Sequence, residues 1–243
     1  DRPAVARLTH ATLRKLFRWA VTRGDLDRSP MEGMEAPPPV PARDRVLSDE
    51  ELRVLWHSLP RLGKPFDPFF RVLILTAQRR EEVARMDWSE LNREQAEWVL
   101  PATRTKNSKA QHVPLSALAR SVLDGLAEGS TWPKRGFVFS TTGLTPVSGF
   151  SKAKRRLDEQ MTERLQDRFS AWRTHDLRRT VATGLQRLGV RFEVTEAVLN
   201  HHVCGARSGI AGVYQRYDWA SEKRQALEAW AGHVARVDEE RAP

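Results

Sequence analysis

The sequence predicts a mainly α-helical fold with one small antiparallel β-sheet, which is an α+β arrangement. Apolar residues recur at helical spacing along most of the chain. The pattern changes between residues 87 and 115, where Trp98–Leu100 and His112–Leu115 flank a polar turn, as the two strands of a hairpin do. The 243 residues can form one large domain, or a medium domain with part of another, around a well-buried core.

The first predicted element is an amphipathic helix over residues 8–23. One helix cannot bury its own apolar face, so residues 1–34 are expected to be the C-terminal remnant of an upstream domain. Because the chain begins with Asp1 rather than Met, we expect the natural protein to be longer. Prolines make residues 35–46 stiff and extended, which is typical of a linker, and a second domain is predicted over residues 47–243.

Helices dominate the second domain on either side of the hairpin. Ser48 is suited to cap the first of them, and a second is predicted from about Asp67 to Met86. The last helix places Leu227 and Trp230 on one face. That face could pack within its own chain or dock on a neighbouring copy, and the sequence favours neither.

The charge of the chain points to a polyanionic partner. The formal net charge is +9, and 32 of the 40 basic residues are Arg, whose planar fork can bind two phosphate oxygens at once. An Arg-rich proteome would give the same composition. No apolar stretch approaches the roughly 18 residues of a membrane span, and no signal peptide is evident, so we expect a cytoplasmic protein without a membrane partner.

A single cysteine, Cys204, excludes an internal disulfide and fits a reducing compartment. A zinc site formed by Cys204 with His201 and His202 is disfavoured, because adjacent residues cannot easily converge on one ion and no fourth ligand is evident. Any metal chemistry would have to use other ligands, and we expect no metal and no cofactor.

Arg79 is the first candidate functional residue, because it falls inside the apolar stripe of the predicted 67–86 helix. A guanidinium on a buried face is costly unless it is paired or faces a polar cavity, and Glu82, one turn further on, can orient it. For one such Arg taken alone, a structural ion pair is the favoured interpretation.

His175 and Arg178 share one face near the start of a helix that Thr174 is suited to cap. A His and an Arg one turn apart at a helix N-terminus can bind a phosphate, since the unpaired backbone N–H groups there also favour an anion. Further on, His201 ends the inward face of another helix, which ordinarily indicates a packed core histidine. Each pattern is common and is weak evidence alone.

Tyr214 and Tyr217 are the only tyrosines of the chain and share one helical face, for which packing is the ordinary explanation. The order of these clusters, however, resembles that of the phage integrase or tyrosine recombinase family, over roughly residues 45–235. The matching motifs are Thr76–Glu82 with Arg79, Arg104–Asn107 with Lys106, His175 with Arg178, Leu199–His201 with His201, and Val213–Trp219 with Tyr214. The last motif is most similar to prophage and genomic-island integrases.

The resemblance implies a tyrosine recombinase catalytic-domain fold preceded by the end of a core DNA-binding domain. It implies that Tyr214 attacks a DNA phosphate, leaving a 3′-phosphotyrosyl link and a free 5′-hydroxyl, while Lys106 protonates the departing oxygen. Energy of the phosphodiester is conserved in the link, so rejoining needs no ATP.

The remaining matched residues are implied to act on the phosphate. Arg79 and Arg178 neutralise its non-bridging oxygens, as a metal ion would otherwise do, and His201 adds a hydrogen bond. His175 either accepts the tyrosine proton or helps to hold the phosphate. The sequence does not choose between these two roles.

The implied partners are double-stranded DNA attachment sites, a homotetramer on synapsed DNA, and accessory bending or directionality factors, in the integration or excision of a mobile element. A catalytically silent DNA-binding protein on the same scaffold is the alternative; it predicts the loss of a reacting position, and all are present. A metal-dependent nuclease would need a carboxylate cluster that the sequence lacks.

Two features depart from the family pattern. Ala77 and Asn200 stand where the family usually has Gly, although neither change removes a reacting group. The step of thirteen residues from His201 to Tyr214 is longer than in many members, which leaves Tyr217 as an alternative nucleophile.

Overall fold

The computed structural model describes residues 2–41, 43–105, 108–128, 131–201 and 218–239. The chain forms two compact units, residues 1–44 and 45–243. The first unit contains helix α1 (Pro3–Thr22), which begins earlier than predicted because Pro3 has the fixed φ and absent N–H that suit a first helical position. Every residue of α1 is at least partly exposed.

The second unit is mainly helical, which confirms the predicted α+β class. Its described residues contain eight α-helices: α2 (Asp49–Ser58), α3 (Phe66–Thr76), α4 (Arg80–Ala84), α5 (Ala117–Leu126), α6 (Phe150–Leu165), α7 (Thr174–Arg187), α8 (Phe192–Val198) and α9 (Ala220–Glu239). Short 3₁₀ turns cover Leu59–Leu62, Trp88–Glu90, Ala102–Arg104 and Gln166–Arg168. None of the helices in the described part of the chain is long and apolar enough to cross a membrane.

The predicted hairpin is present, within a three-stranded antiparallel sheet in the order β1-β2-β3. Strand β2 (Glu97–Leu100) pairs with β3 (Gln111–Pro114), with Trp98 opposite Val113 on the buried face. Strand β1 (Leu91–Asn92) pairs with the other edge of β2. The sequence did not predict β1, since two residues are too few to show an alternating pattern.

Ser48 caps α2, as predicted. Its hydroxyl accepts a hydrogen bond from the Glu51 N–H at 3.1 Å, and the Glu51 carboxylate accepts the Ser48 N–H at 2.9 Å. This reciprocal pair satisfies two backbone donors that the first turn of a helix leaves without partners.

The predicted helix from Asp67 to Met86 is wrong, because the structure divides it in two. Helix α3 ends at Thr76, Ala77 takes the left-handed conformation with φ 55° and ψ 20°, and α4 begins only at Arg80. The apolar periodicity continues across the break because both helices contact the same core. Periodicity therefore shows which side of a segment is buried, and it does not show where the backbone turns.

Helix α9 closes the core of the second unit. Leu227 and Trp230 are each 1% exposed, and α9 contacts α2, α3, α7 and α8. The Trp230 indole N–H also donates to the Ile74 carbonyl of α3 at 3.0 Å. Of the two alternatives left open for this apolar face, the structure shows packing within its own chain.

Candidate active site

The second unit contains a cleft of about 840 Å³ between α3, α4, α6 and α7. Its walls carry six Arg or Lys side chains and three carboxylates, so the surface is predominantly basic. The lining includes Arg79, Arg80, Glu81, Glu82, Arg104, Thr105, Phe150, Lys154, Asp158, Trp172, Arg173, His175 and Arg178. An anion entering the cleft therefore meets Arg79, His175 and Arg178 together, three of the residues singled out in the sequence.

Arg79 lies immediately before α4, not inside a continuous helix, and Glu82 binds both its backbone and its side chain. The Glu82 carboxylate accepts the Arg79 backbone N–H at 3.0 Å and a guanidinium N–H at 2.9 Å. The Glu82 side chain is only 5% exposed, whereas that of Arg79 is 25% exposed to the cleft. The predicted orienting role of Glu82 thus has a geometric basis: one buried carboxylate caps the helix and fixes the guanidinium.

Arg178 lies at the centre of the site and is 5% exposed. Its two terminal nitrogens donate to the carbonyls of Ala77 and Leu199, so the side chain joins α7 to the ends of α3 and α8. Burial, the largest cause, and the neighbouring Arg79 lower the pKa of Arg178 to about 10. The group consequently remains charged at neutral pH, at the cost of desolvation, which an anion in the cleft offsets.

The two positions that depart from the family pattern lie beside those carbonyls. Ala77 has φ 55° and Asn200 has φ 49°, both in the left-handed region where glycine is favoured. The turn at Ala77 directs its carbonyl at Arg178, and the turn at Asn200 follows the Leu199 carbonyl that Arg178 also binds. Both positions thus adopt the backbone conformation that favours glycine, although neither residue is glycine.

His175 lies in the first turn of α7, on the wall of the cleft. Burial and the charges of Arg179 and Arg178 lower its pKa, so the ring is neutral at pH 7. The predicted cap at Thr174 is wrong: α7 begins at Thr174, and the Asp176 carboxylate caps it by accepting the Arg173 N–H at 2.8 Å.

His201 follows the end of α8 and is not the packed core histidine that its pattern ordinarily indicates. Its side chain is 43% exposed, and its Nδ1 lies 3.3 Å from Glu196 Oε2. Burial and the charge of Arg178 lower its pKa, while Glu196 opposes that shift. His201 is thus electrostatically coupled to the arginines of the cleft.

Lys106, Tyr214 and Tyr217 lie outside the described residues. The two residues that precede Lys106 are placed, and both line the cleft. Arg104 donates to the Glu82 carbonyl at 2.7 Å and to the Glu90 carboxylate. The Thr105 hydroxyl accepts the Lys109 N–H at 3.0 Å.

Several residues of the cleft were not predicted from the sequence. Lys154 lies 3.9 Å from the centre of the Trp172 ring and pairs with Asp158, and Arg173 lies just before α7. Helical spacing on α6 could have indicated the Lys154–Asp158 pair. No local signal places Lys154 beside Trp172, because that contact depends on the tertiary fold. Among the described residues no three His, Cys, Asp or Glu side chains are grouped to hold a metal ion.

Sequence comparison identifies relatives of the chain. Residues 45–206 match the phage integrase family. The prophage integrase IntA of Escherichia coli K12 is 27% identical over 168 residues, which cover 68% of this chain and 38% of IntA. The shufflon-specific DNA recombinase of Escherichia coli is 28% identical over 251 residues, covering 96% of this chain and 60% of that protein. The chain thus spans only 36–60% of the length of the curated relatives it matches.

Solved structures with the same fold include two of lambda integrase. The tetramer bound to a Holliday junction aligns with a TM-score of 0.60 at 17% identity, over 86% of this chain and 62% of that one. The dimer bound to a COC′ core site aligns with a TM-score of 0.59 at 18% identity, over 90% and 61%. Together with the family match over two thirds of its length, this fold shows that the chain belongs to the phage integrase, or tyrosine recombinase, family.

Proposed function

We propose that this protein is a site-specific DNA recombinase that breaks and rejoins DNA through a 3′-phosphotyrosyl intermediate, with Tyr214 as the nucleophile. The observation that carries the proposal is the basic cleft in which Arg79, Arg178 and His175 meet. The side chains of Arg79 and Arg178 are held by hydrogen bonds to Glu82 and to two backbone carbonyls before any ligand arrives. Such preorganised positive charge is what stabilises a phosphate as negative charge builds on its oxygens.

The geometry allows the two arginines to bind one phosphate together. Arg178 uses one donor on each terminal nitrogen for a backbone carbonyl, and a guanidinium has five N–H donors in all. The remaining donors of Arg178, together with those of Arg79, can bind the two non-bridging oxygens of a phosphodiester. Two fixed guanidinium groups then carry the charge stabilisation that a metal ion supplies in other phosphoryl-transfer sites.

Proton transfer is assigned to the remaining residues. The lowered pKa of His175 favours the first of its two roles, since a neutral imidazole can accept the proton of the attacking tyrosine. Lys106 is proposed to protonate the 5′-oxygen as it leaves. Arg104 and Thr105, which precede Lys106 in the sequence, line the cleft, and each is held there by hydrogen bonds.

The proposed partner is double-stranded DNA at attachment sites, bound by four protomers. Lambda integrase, which shares the fold, has been solved as a dimer and as a tetramer on DNA. The net charge of +9 suits a polyanionic partner. Accessory bending or directionality factors complete the proposal, for the integration or excision of a mobile element.

The test is covalent trapping on a nicked suicide substrate. After cleavage, the short DNA fragment that carries the free 5′-hydroxyl diffuses away. We expect a denaturant-resistant protein–DNA adduct that proteolysis and mass spectrometry map to the peptide containing Tyr214. The adduct should form with Tyr217→Phe and not with Tyr214→Phe. If the adduct persists in Tyr214→Phe and disappears in Tyr217→Phe, Tyr217 is the nucleophile. If the wild-type protein forms no adduct with any DNA, the proposed activity is contradicted.

The proposed role of His175 predicts a pH dependence. If neutral His175 accepts the tyrosine proton, the cleavage rate at saturating DNA falls as the pH drops through the pKa of His175. Because that pKa is lowered, the base remains available at neutral pH, and its loss occurs below the usual value of about 6.5. The His175→Gln variant should cleave DNA more slowly than the wild type, and its rate should not show this fall at low pH. If His175→Gln keeps the fall in rate at low pH, His175 instead helps to hold the phosphate.

A further inference from the structure

Glu196 is an acidic residue beside the proposed site to which neither the sequence motifs nor the proposed mechanism gives a role. It lies on α8, five residues before His201, and its side chain is 19% exposed. Its two carboxylate oxygens lie 3.3 and 3.4 Å from Nδ1 of His201. The contact spans the end of α8, where Asn200 turns the backbone through the left-handed region and brings His201 back toward Glu196.

The chemistry of this pair restricts what His201 can do. An ionised carboxylate only accepts hydrogen bonds, so Nδ1 of His201 must carry the shared hydrogen. In a neutral ring Nε2 then has no hydrogen and cannot donate to a phosphate oxygen. The ring can therefore supply the hydrogen bond assigned to it only when it is protonated on both nitrogens.

The charges around His201 oppose one another. Arg178 of α7 and Arg79 before α4 disfavour a second positive charge, and Glu196 of α8 favours it; these are the charged groups that the described residues bring to bear on the ring. A bound phosphodiester would add a negative charge beside the two arginines. Glu196 and the phosphate then act in the same direction, and DNA binding would be accompanied by uptake of a proton.

We propose that Glu196 is a positioning residue for His201. Its carboxylate fixes the ring through Nδ1, leaves Nε2 as the nitrogen that meets the phosphate, and supplies the counter-charge that lets Nε2 donate. Glu196 thus orients the side chain of His201, as Glu82 orients that of Arg79. This inference rests on the proposed recombinase function, since it assigns a phosphate contact to His201.

Two substitutions separate orientation from charge. Glu196→Gln keeps an oxygen that can accept from Nδ1 and removes the charge. Cleavage at saturating DNA should therefore match the wild type at low pH. As the pH is raised, the cleavage rate should begin to fall at a lower pH than in the wild type. Glu196→Ala removes both, and cleavage should fall by about ten- to a hundredfold even at low pH, the magnitude known for loss of the carboxylate partner of a metal-bound histidine. Glu193→Gln, an exposed change on the same helix, should leave the profile unchanged.

A second measurement does not depend on catalysis. NMR titration of labelled histidines, with His201→Asn to identify the signal, should show a lower pKa for His201 in Glu196→Gln than in the wild type. It should also show a rise in the wild type when DNA binds. The sign follows because removing a negative neighbour disfavours the imidazolium form.

The outcomes distinguish the two proposals. If wild-type protein forms no covalent adduct, the recombinase function fails, whatever the titration shows. If the adduct forms but Glu196→Gln has the pH profile and the His201 pKa of the wild type, Glu196 has no positioning role and the proposed function stands. A loss in Glu196→Gln that is equal at all pH values also overturns the inference, because it indicates a structural effect.

Discussion

Replacing Arg178 with Lys is expected to reduce single-turnover DNA cleavage by about a thousandfold, although the substitution keeps a basic side chain. The guanidinium of Arg178 binds two backbone carbonyls, those of Ala77 and Leu199, while other donors remain for a phosphate. A lysine ammonium is a single point of charge and cannot reach both carbonyls and a phosphate oxygen at once. The substitution therefore removes transition-state stabilisation and leaves at least one buried carbonyl without its partner.

The protonation of the substituted side chain adds to this loss. Burial and Arg79 lower the pKa of Arg178 to about 10, from the much higher value of an ordinary arginine. The same surroundings act on lysine from a lower starting value of about 10.4. Desolvation therefore lowers the pKa of a lysine at this position toward neutral pH, so a lysine loses its positive charge more easily than the arginine does.

The measurement must separate chemistry from binding and folding. Arg187→Lys, an exposed change on the last turn of α7, is the matched control and should cleave at the wild-type rate. Fluorescence anisotropy should show that Arg178→Lys changes DNA affinity by less than about tenfold, since most of that affinity comes from many dispersed basic residues. Cleavage by Arg178→Lys within a factor of about ten of the wild type would contradict the central place given to Arg178.

Local physics explains which parts of the fold could be predicted. The Ser48 cap, the hairpin around Trp98 and the buried face of α9 depend on residues near one another in sequence, and each prediction was confirmed. The break at Ala77 could not be predicted, because alanine favours a continuing helix. Its left-handed conformation is imposed by tertiary contacts, among them the bond from Arg178, which is distant in sequence.

The candidate site shows the same division between local and long-range information. Arg79 with Glu82, and His175 with Arg178, are pairs within one helical turn, and their spacing was visible in the sequence. Glu196 was not recognised, because its contact with His201 crosses a helix end and has no fixed spacing.

Replacing Gly184 with Ala is expected to destabilise the second unit by about 1–3 kcal/mol, which lowers the melting temperature by roughly 2–12 °C. Gly184 lies in α7, and a Cβ at this position would come within 2.2 Å of Cζ3 of Trp230. The indole cannot move aside freely, because it is 1% exposed, donates to Ile74 and lies 5.3 Å from the His233 ring. The overlap outweighs the gain of about 0.5–1 kcal/mol that alanine ordinarily brings to a helix interior.

The same substitution elsewhere should have the opposite sign, which makes the cause identifiable. Gly232 lies in α9, is exposed, and would meet no atom within 4 Å if it carried a Cβ. Gly232→Ala should therefore raise the melting temperature through helix propensity alone. Trp230→Phe should remove much of the loss in Gly184→Ala, because the smaller ring vacates the space; a double-mutant cycle with no coupling would contradict the proposed clash. Such coupling would show that α9 packs closely against α7 because Gly184 has no side chain. Close packing at Gly184 would then fix the position of α9, the helix that follows the Tyr214 segment.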